Sequence, residues 1–244
     1  MHLLISNDDG IFSPGIRALA EVASEFGEVR IVAPDVEQSA MSHAVTLSRP
    51  LNYHRTPLDK FAAYRVNGTP ADCVALGAFH WEKVDVVLSG INLGLNIGNA
   101  MWHSGTLAAA KQAALLGLRG IAFSAPTAAE NRKYDKIKPY LRQVLNLLLH
   151  EFTMDLVNVN FPLNPKGIRW TKQSVRHYDG NVIPGKDPLG KEHYWFTVIE
   201  VEEVSENTDR WAVEHDYVSL TPLRLDLTDH QKLEQARSMI LFPK

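Results

Sequence analysis

The chain reads as a layered α/β protein: a mostly parallel sheet covered by helices, followed by an antiparallel appendage. Three observations predict this. Up to residue 163, short apolar strands alternate with helix-period segments. Several of those strands end in polar or small residues, as strand tips do where an open sheet binds ligands. After residue 163 the alternation stops, and strand-like segments follow one another with Gly and Pro between them. We therefore divide the chain into an α/β core, residues 1–163, and a hairpin extension with a C-terminal helix, residues 164–244. The two belong to one structural unit.

The elements follow in order. His2-Leu3-Leu4-Ile5 opens a first strand over residues 2–6. Ser13-Pro14-Gly15 starts a helix, with Ser13 as N-cap and Pro14 in the first turn. Its apolar face runs through Ile16, Leu19, Ala20, Ala23 and Phe26, and Gly27 ends it. Val29–Ala33 is a second buried strand, closed by Pro34-Asp35. Strand, helix, strand implies a parallel pair with a right-handed crossover. Alternation over Ala44–Leu51 predicts a strand or hairpin, and Tyr64–Val66 a short strand. Thr69-Pro70-Ala71-Asp72 is a strong helix start, and that helix carries Cys73, Val74, Leu76 and Phe79. Val84–Ser89 is a strand, followed by a glycine- and asparagine-rich loop, residues 90–98. Ser104-Gly105-Thr106 leads into an alanine-rich helix reaching about Leu116. Gly120–Ser124 is a strand, Ile137–Leu149 an amphipathic helix, and Leu156–Asn160 a strand. Beyond them, Trp170–Tyr178 and His193–Val204 read as strands. Trp211–Leu223 reads as a short helix plus a strand, and Thr228–Met239 as a final helix. A thin arm cannot bury Trp195, Phe196, Trp211, Tyr217, Leu220, Leu223, Leu225 and Leu227 against itself. It needs the core or a second subunit, so we expect a homo-oligomer.

Composition narrows the function. The chain has 244 residues, 45% hydrophobic and 22% charged, which suits a globular fold with a large core. A net charge of -3 without a long basic run gives no support to nucleic-acid polymers as partners. An anionic substrate would need a local positive centre, and a metal would serve. Cys73 is the one cysteine, so no intrachain disulfide forms and a reducing cytoplasm fits. The N-terminus lacks the signal-peptide pattern, and no apolar stretch is long enough to span a bilayer. The 10 histidines lack zinc-site spacing.

The most informative segment is Ile5-Ser6-Asn7-Asp8-Asp9-Gly10. Two adjacent carboxylates at a strand tip repel each other unless a cation or a shared proton compensates. A hard divalent cation is the simplest compensation; the plain alternative is a turn, since Asn, Asp and Gly are ordinary turn formers. Other strand tips carry Gln38-Ser39, Asn92 with Asn96, and Asn160. Asp8, Asp9, Ser39 and Asn92 together make an oxygen-only ligand set, which favours Mg2+ or Mn2+ over zinc or copper. Ser104-Gly105-Thr106 stands before a helix, whose free N–H groups and dipole suit an anion. An ordinary N-cap is the commoner role for such a serine. The loop is neither a P-loop nor a Gly-x-Gly-x-x-Gly fingerprint, because its glycines stand at 90, 94 and 98.

Several blocks carry a resemblance. They are Asn7-Asp8-Asp9-Gly10, Ala33-Pro34 with Gln38-Ser39, Gly68-Thr69-Pro70-Ala71-Asp72-Cys73, Ser89-Gly90-Ile91-Asn92 with Gly94, Asn96 and Gly98, Ser104-Gly105-Thr106, and Thr221-Pro222-Leu223. In this order they resemble the SurE family of stationary-phase survival proteins, metal-dependent phosphatases acting on nucleoside monophosphates. The resemblance spans essentially the whole chain. It implies a Rossmann-like core with a C-terminal extension swapped within a dimer or tetramer. It implies one divalent cation per subunit on Asp8, Asp9, Ser39 and Asn92. It also implies a phosphate lined by Asn96 and by Ser104, Gly105 and Thr106. The chain departs from the family pattern at His103, where a tyrosine is common, and at Lys111, in the run Ala-Ala-Ala-Lys. Both departures bear on substrate preference and leave the metal set intact.

The expected reaction is hydrolysis of nucleoside 5′-monophosphates, with 3′-monophosphates and short polyphosphate as further candidates. Asp8, Asp9 and Asn96 carry the catalysis, and His43 and His103 are other candidate proton carriers. A haloacid-dehalogenase-like reading, with Asp8 as nucleophile, requires two aspartates separated by one residue, whereas these are adjacent. The rival from another class is a nucleotide-binding sensor without turnover.

Overall fold

The computed structural model describes residues 1–127, 134–175 and 177–237. In chain order the core elements are β1 (His2–Ser6), α1 (Pro14–Ala23), β2 (Glu28–Pro34), β3 (Tyr53–Leu58), β4 (Phe61–Val66), α2 (Pro70–His80), β5 (Val86–Leu93), α3 (Gly105–Leu115), β6 (Arg119–Ala125), α4 (Lys138–Asn146) and β7 (Leu156–Asn160). The remainder is β8 (Gly167–Trp170), β9 (His177–Lys186), β10 (Glu192–Glu200), α5 (Asp209–Glu214), β11 (Tyr217–Pro222) and α6 (His230–Arg237).

The main sheet has nine strands in the order β3-β4-β2-β1-β5-β6-β7-β11-β8. From β4 to β7 all neighbours are parallel, whereas β3 on β4 and β11 on β7 are antiparallel. This is the layered α/β arrangement that the strand–helix alternation predicts, and it is Rossmann-like, as the resemblance implies. Side-chain alternation along β1 divides the core: Leu3 and Ile5 join the layer of α1 and α4, while Leu4 joins that of α2 and α3. Such double burial explains why the strands read as continuous apolar runs. Register fixes what their ends present. Ser6 stands opposite Ser89, so the turn after β1 and the end of β5 emerge side by side.

Several boundaries differ from the sequence expectation, each for a local reason. α1 ends at Ala23, with Ser24 as its C-cap, because Ser24 turns its hydroxyl back onto the Glu21 carbonyl at 2.8 Å. Residues 44–51 are neither strand nor hairpin. Their backbone is taken up by side chains instead: Asp72 accepts from Thr46 N at 3.0 Å, and Thr69 donates to Ala44 O at 2.8 Å. The hairpin lies further on, as β3 and β4. β5 continues through Asn92 and Leu93, pairing them with Ser124 and Ala125.

The region after 163 is more than an appendage. β11 inserts between β7 and β8, so both strands complete the main sheet. Leu220 is thereby fully buried. Only β9 and β10 form the separate antiparallel ribbon; β9 runs 177–186, later than the expected 170–178, and β10 runs 192–200, ending before the expected 204. The final helix spans 230–237; the expected extension to Met239, like Arg176 in the expected 170–178 strand, lies outside the described residues. Among the described residues, no helix is long and apolar enough to cross a membrane.

Candidate functional site

β1 delivers Asp8 and Asp9 at its C-terminal tip. Asp8 is buried at 4% exposure, and Asp9 is partly open. The turn is rigid: the Asn7 side chain donates to Gly10 O at 3.0 Å and to Ser13 Oγ at 2.8 Å. The Ser13 hydroxyl also caps α1 by accepting from Ile16 N. Turn chemistry and a strand-tip carboxylate pair thus coexist here.

Asn92 reaches the same place from β5. Its Nδ2 donates to Gly94 O at 2.8 Å, which fixes the carboxamide and leaves Oδ1 as the available ligand atom. Leu93 N donates to Asp9 Oδ2 at 3.2 Å and ties the two strand ends together. The loop after β2 joins them through Gln38 N, which donates to the Asp8 carbonyl at 2.8 Å. One residue later, exposed Ser39 donates its hydroxyl to Glu37 Oε1 at 2.5 Å. Glu37 is a group the sequence reading did not single out; after burial, the main cause, its charge adds a small upward push to the Asp8 pKa.

The helix N-terminus bears on Asp8 directly. Thr106 donates its hydroxyl to Asp8 Oδ1 at 2.6 Å. Burial pushes the Asp8 carboxyl up, and the side-chain and backbone hydrogen bonds of Thr106 pull against it without prevailing. Gly105 is where α3 meets the pair: a Cβ there would lie 2.8 Å from the Asp8 Cβ. Ser104 is the N-cap of α3 and accepts from Leu107 N at 3.0 Å. Its oxygen serves the cap, and its proton stays available to a ligand.

Asn96 sits one layer further in, buried at 7% exposure. Its Nδ2 donates to Ser124 Oγ at 2.9 Å and to Thr106 Oγ1 at 3.3 Å. In this geometry the Thr106 hydroxyl bonds Asp8 and the Asn96 amide bonds Thr106 and Ser124, while the cap hydroxyl of Ser104 retains its proton. The remaining support lies where the sequence showed little. Asn160 Oδ1 accepts from Asn96 N at 2.9 Å, and Asn158 Nδ2 donates to Asn96 O at 2.7 Å. Fully buried Asp209, from α5, accepts from Gly98 N at 2.8 Å and from Ser174 N at 3.0 Å. The C-terminal region therefore clamps the active loop. Of the two histidines, His43 is held by Gln112 Oε1 at 2.9 Å, and His103 pairs its carbonyl with Ser42 N at 3.1 Å.

The donor set fits a hard divalent cation. The set comprises two carboxylates at the tip of β1 and the side-chain oxygen of Asn92 at the end of β5, with Ser39 on the adjoining loop, and has no nitrogen or sulfur ligand. Among the described residues no group of three or more His, Cys, Asp or Glu side chains is placed to hold a metal ion, so this set relies on two carboxylates and neutral oxygens. Asp8 is a buried carboxylate whose charge its hydrogen bonds do not fully support, which is the condition a cation relieves.

A family model described as Survival protein SurE matches residues 3–180. A Thermus thermophilus protein named 5'-nucleotidase SurE 1 is 44% identical over 246 residues, covering 98% of each chain. A Deinococcus radiodurans protein named 5'-nucleotidase SurE is 42% identical over 238 residues, covering 93% of this chain and 88% of that one. The crystal structure of the SurE protein from Aquifex aeolicus superposes with a TM-score of 0.84 at 40% identity, covering 98% of this chain and 99% of that one.

Proposed function

The chain belongs to the SurE family, and from that membership we propose that it is a metal-dependent phosphomonoesterase, a 5′-nucleotidase releasing phosphate from nucleoside monophosphates. The observation that carries the reading is the Asp8–Asp9 pair at a strand tip, facing Asn92 and the N-terminus of α3.

Asp8, Asp9, Ser39 and Asn92 hold one divalent cation, Mg2+ or Mn2+. Bound there, the cation lowers the pKa of water and neutralises charge on a phosphoryl oxygen. The protein does the positioning. Thr106 and Asn96 fix the Asp8 carboxylate, and Asn92 is locked by Gly94. The Ser104 hydroxyl and the first amides of α3 orient the equatorial phosphate oxygens, as phosphoryl transfer requires. One carboxylate of the pair accepts a proton from the attacking water as its oxygen bonds to phosphorus. The bond from phosphorus to the ester oxygen breaks, and that oxygen takes back the proton held by the carboxyl group, or one from solvent, and leaves as the nucleoside hydroxyl.

The β9–β10 ribbon supports a homo-oligomer. Val182, Ile183, Tyr194, Trp195 and Phe196 are each at least half exposed on it. A two-stranded ribbon is at best marginally stable alone, so a second subunit is the natural cover.

Phosphate release from a panel of 5′- and 3′-monophosphates and short polyphosphate tests the reading, with chelator and with Mg2+ or Mn2+ restored. We expect chelator to abolish release, the metals to restore it, and Asp8→Asn and Asp9→Asn each to abolish it with the fold intact. Full turnover in metal-free protein overturns the mechanism. Metal-dependent nucleotide binding without phosphate release would favour a sensor instead.

A further inference from the structure

A cavity of about 350 Å³ lies beside the candidate site. Trp102, Leu115, His43, Lys111, Arg224 and Gln173 are among its lining residues. The covalent chain fixes its proximity. Trp102 is two residues from the Ser104 cap, so their Cα atoms are at most about 7 Å apart. Ser42, also in the lining, is three residues from Ser39, a span of at most about 11 Å. The two segments are joined there, since Ser42 donates its hydroxyl to Trp102 O at 2.7 Å. The volume falls in the range of small-ligand pockets.

The lining has a definite chemistry. Trp102 is 53% exposed and offers an aromatic face. Lys111 is half-buried with its Nζ 5.6 Å from the centre of that ring. Neither Lys111 nor Arg224 forms an ion pair among the described residues. Burial lowers the Lys111 pKa, as expected of a cation held out of water without a counterion. Gln173 donates its amide to Gly98 O at 3.2 Å, which leaves its carbonyl oxygen as an acceptor.

We propose that this cavity is the base subsite and that it selects 6-oxopurines, guanine or hypoxanthine, over adenine. The proposal rests on the nucleotidase reading above and deepens it. Trp102 stacks on the base, as aromatic side chains do with any base. Selectivity comes from Lys111. A lysine carries donors only, and it suits the O6 and N7 acceptors of guanine. Adenine places an amino donor where O6 would be, so the ammonium would face another donor. The Gln173 carbonyl complements the N1–H that 6-oxopurines carry and adenine lacks.

The test measures kcat/KM for GMP, IMP, AMP and p-nitrophenyl phosphate with metal present. We expect GMP and IMP to exceed AMP by about tenfold. Lys111→Met should bring that ratio to within about twofold of one, whereas Lys111→Arg, which keeps donors and charge, should retain most of it. Trp102→Leu should raise KM for the nucleotides relative to p-nitrophenyl phosphate. A wild-type ratio near one, or a ratio unchanged in Lys111→Met, overturns the proposal. Because p-nitrophenyl phosphate has no base, metal-dependent turnover of it alongside equal rates for GMP and AMP sinks the base subsite and leaves the phosphatase standing. If no ester turns over, the phosphatase reading falls. Tryptophan-fluorescence titrations with GMP and AMP then decide the selectivity, and equal affinities overturn it.

Discussion

Thr106 donates its hydroxyl to Asp8 Oδ1 at 2.6 Å and accepts from Asn96 Nδ2 at 3.3 Å. The helix N-terminus is thereby coupled to the strand tip through a buried relay, Asn96 to Thr106 to Asp8. A hydrogen bond to a charged group is worth about 1.5–3 kcal/mol. Thr106→Val should therefore lower metal affinity and turnover together, by roughly ten- to a hundredfold at 1.4 kcal/mol per decade. Thr106→Ser, which keeps the hydroxyl, should retain most of both. Calorimetric metal titration beside steady-state kinetics checks this. Loss of turnover with unchanged metal affinity would return Thr106 to the phosphate.

Gly105→Ala probes the same contact sterically. The new Cβ would meet the Asp8 Cβ at 2.8 Å and its Oδ2 at 2.9 Å, closer than packed atoms tolerate. Alanine is otherwise the better helix former by about 1 kcal/mol. We expect activity to fall at least tenfold while Tm moves only a few degrees. A variant as active as wild type would show that α3 can retreat from Asp8 at no cost.

Asp72 links stability to the loop that carries Ser39. Its Oδ2 accepts from Thr69 N at 2.9 Å, completing a capping box on α2, and its Oδ1 accepts from Thr46 N at 3.0 Å. Burial alone would raise its pKa, but the hydrogen bonds from Thr46 and Thr69 together outweigh burial and hold it low. A carboxylate depressed on folding contributes stability that is present above its unfolded pKa of about 3.9 and lost as the pH falls through the folded value. Asp72→Asn should cost about 1–3 kcal/mol at pH 7. The gap to wild type should close progressively below about pH 4. Urea melts across pH 3–7 measure it, and a gap independent of pH would refute the assignment.

The parts of this structure legible in the sequence are those governed by local rules. Caps at Ser13, Thr69 and Ser104 are set by residues within three positions, and each is found in place. The parallel strands carry their double burial as unbroken apolar runs. What could not be read is set by distant partners. β11 looks like any short strand, and nothing local says that it inserts between β7 and β8. Thr106 looked like an anion donor because its hydroxyl sits at a helix start. Its commitment to Asp8 depends on two segments 98 residues apart meeting in space. Asp209 bonds Gly98 across 111 residues, and no spacing announces that.

The ribbon of β9 and β10 supplies the last prediction. Val182 pairs with Phe196 and Ile183 with Trp195, so adjacent pairs put apolar side chains on opposite faces. A ribbon lying against its own core would cover one face, yet Trp195 is 66% exposed and Phe196 67%. In the C-terminal tail Leu225 and Leu227 are also exposed. Both faces need partners, which an arm reaching into a second subunit would find. Trp195→Asp with Phe196→Asp should shift the light-scattering mass towards the monomer or cause aggregation, while leaving the buried β1–β5 core folded by circular dichroism. Removal of residues 224–244 tests the tail separately, and an oligomer surviving it would confine the contact to the ribbon. A wild-type monomer at micromolar concentration would refute the oligomer and leave the apolar ribbon needing a different partner.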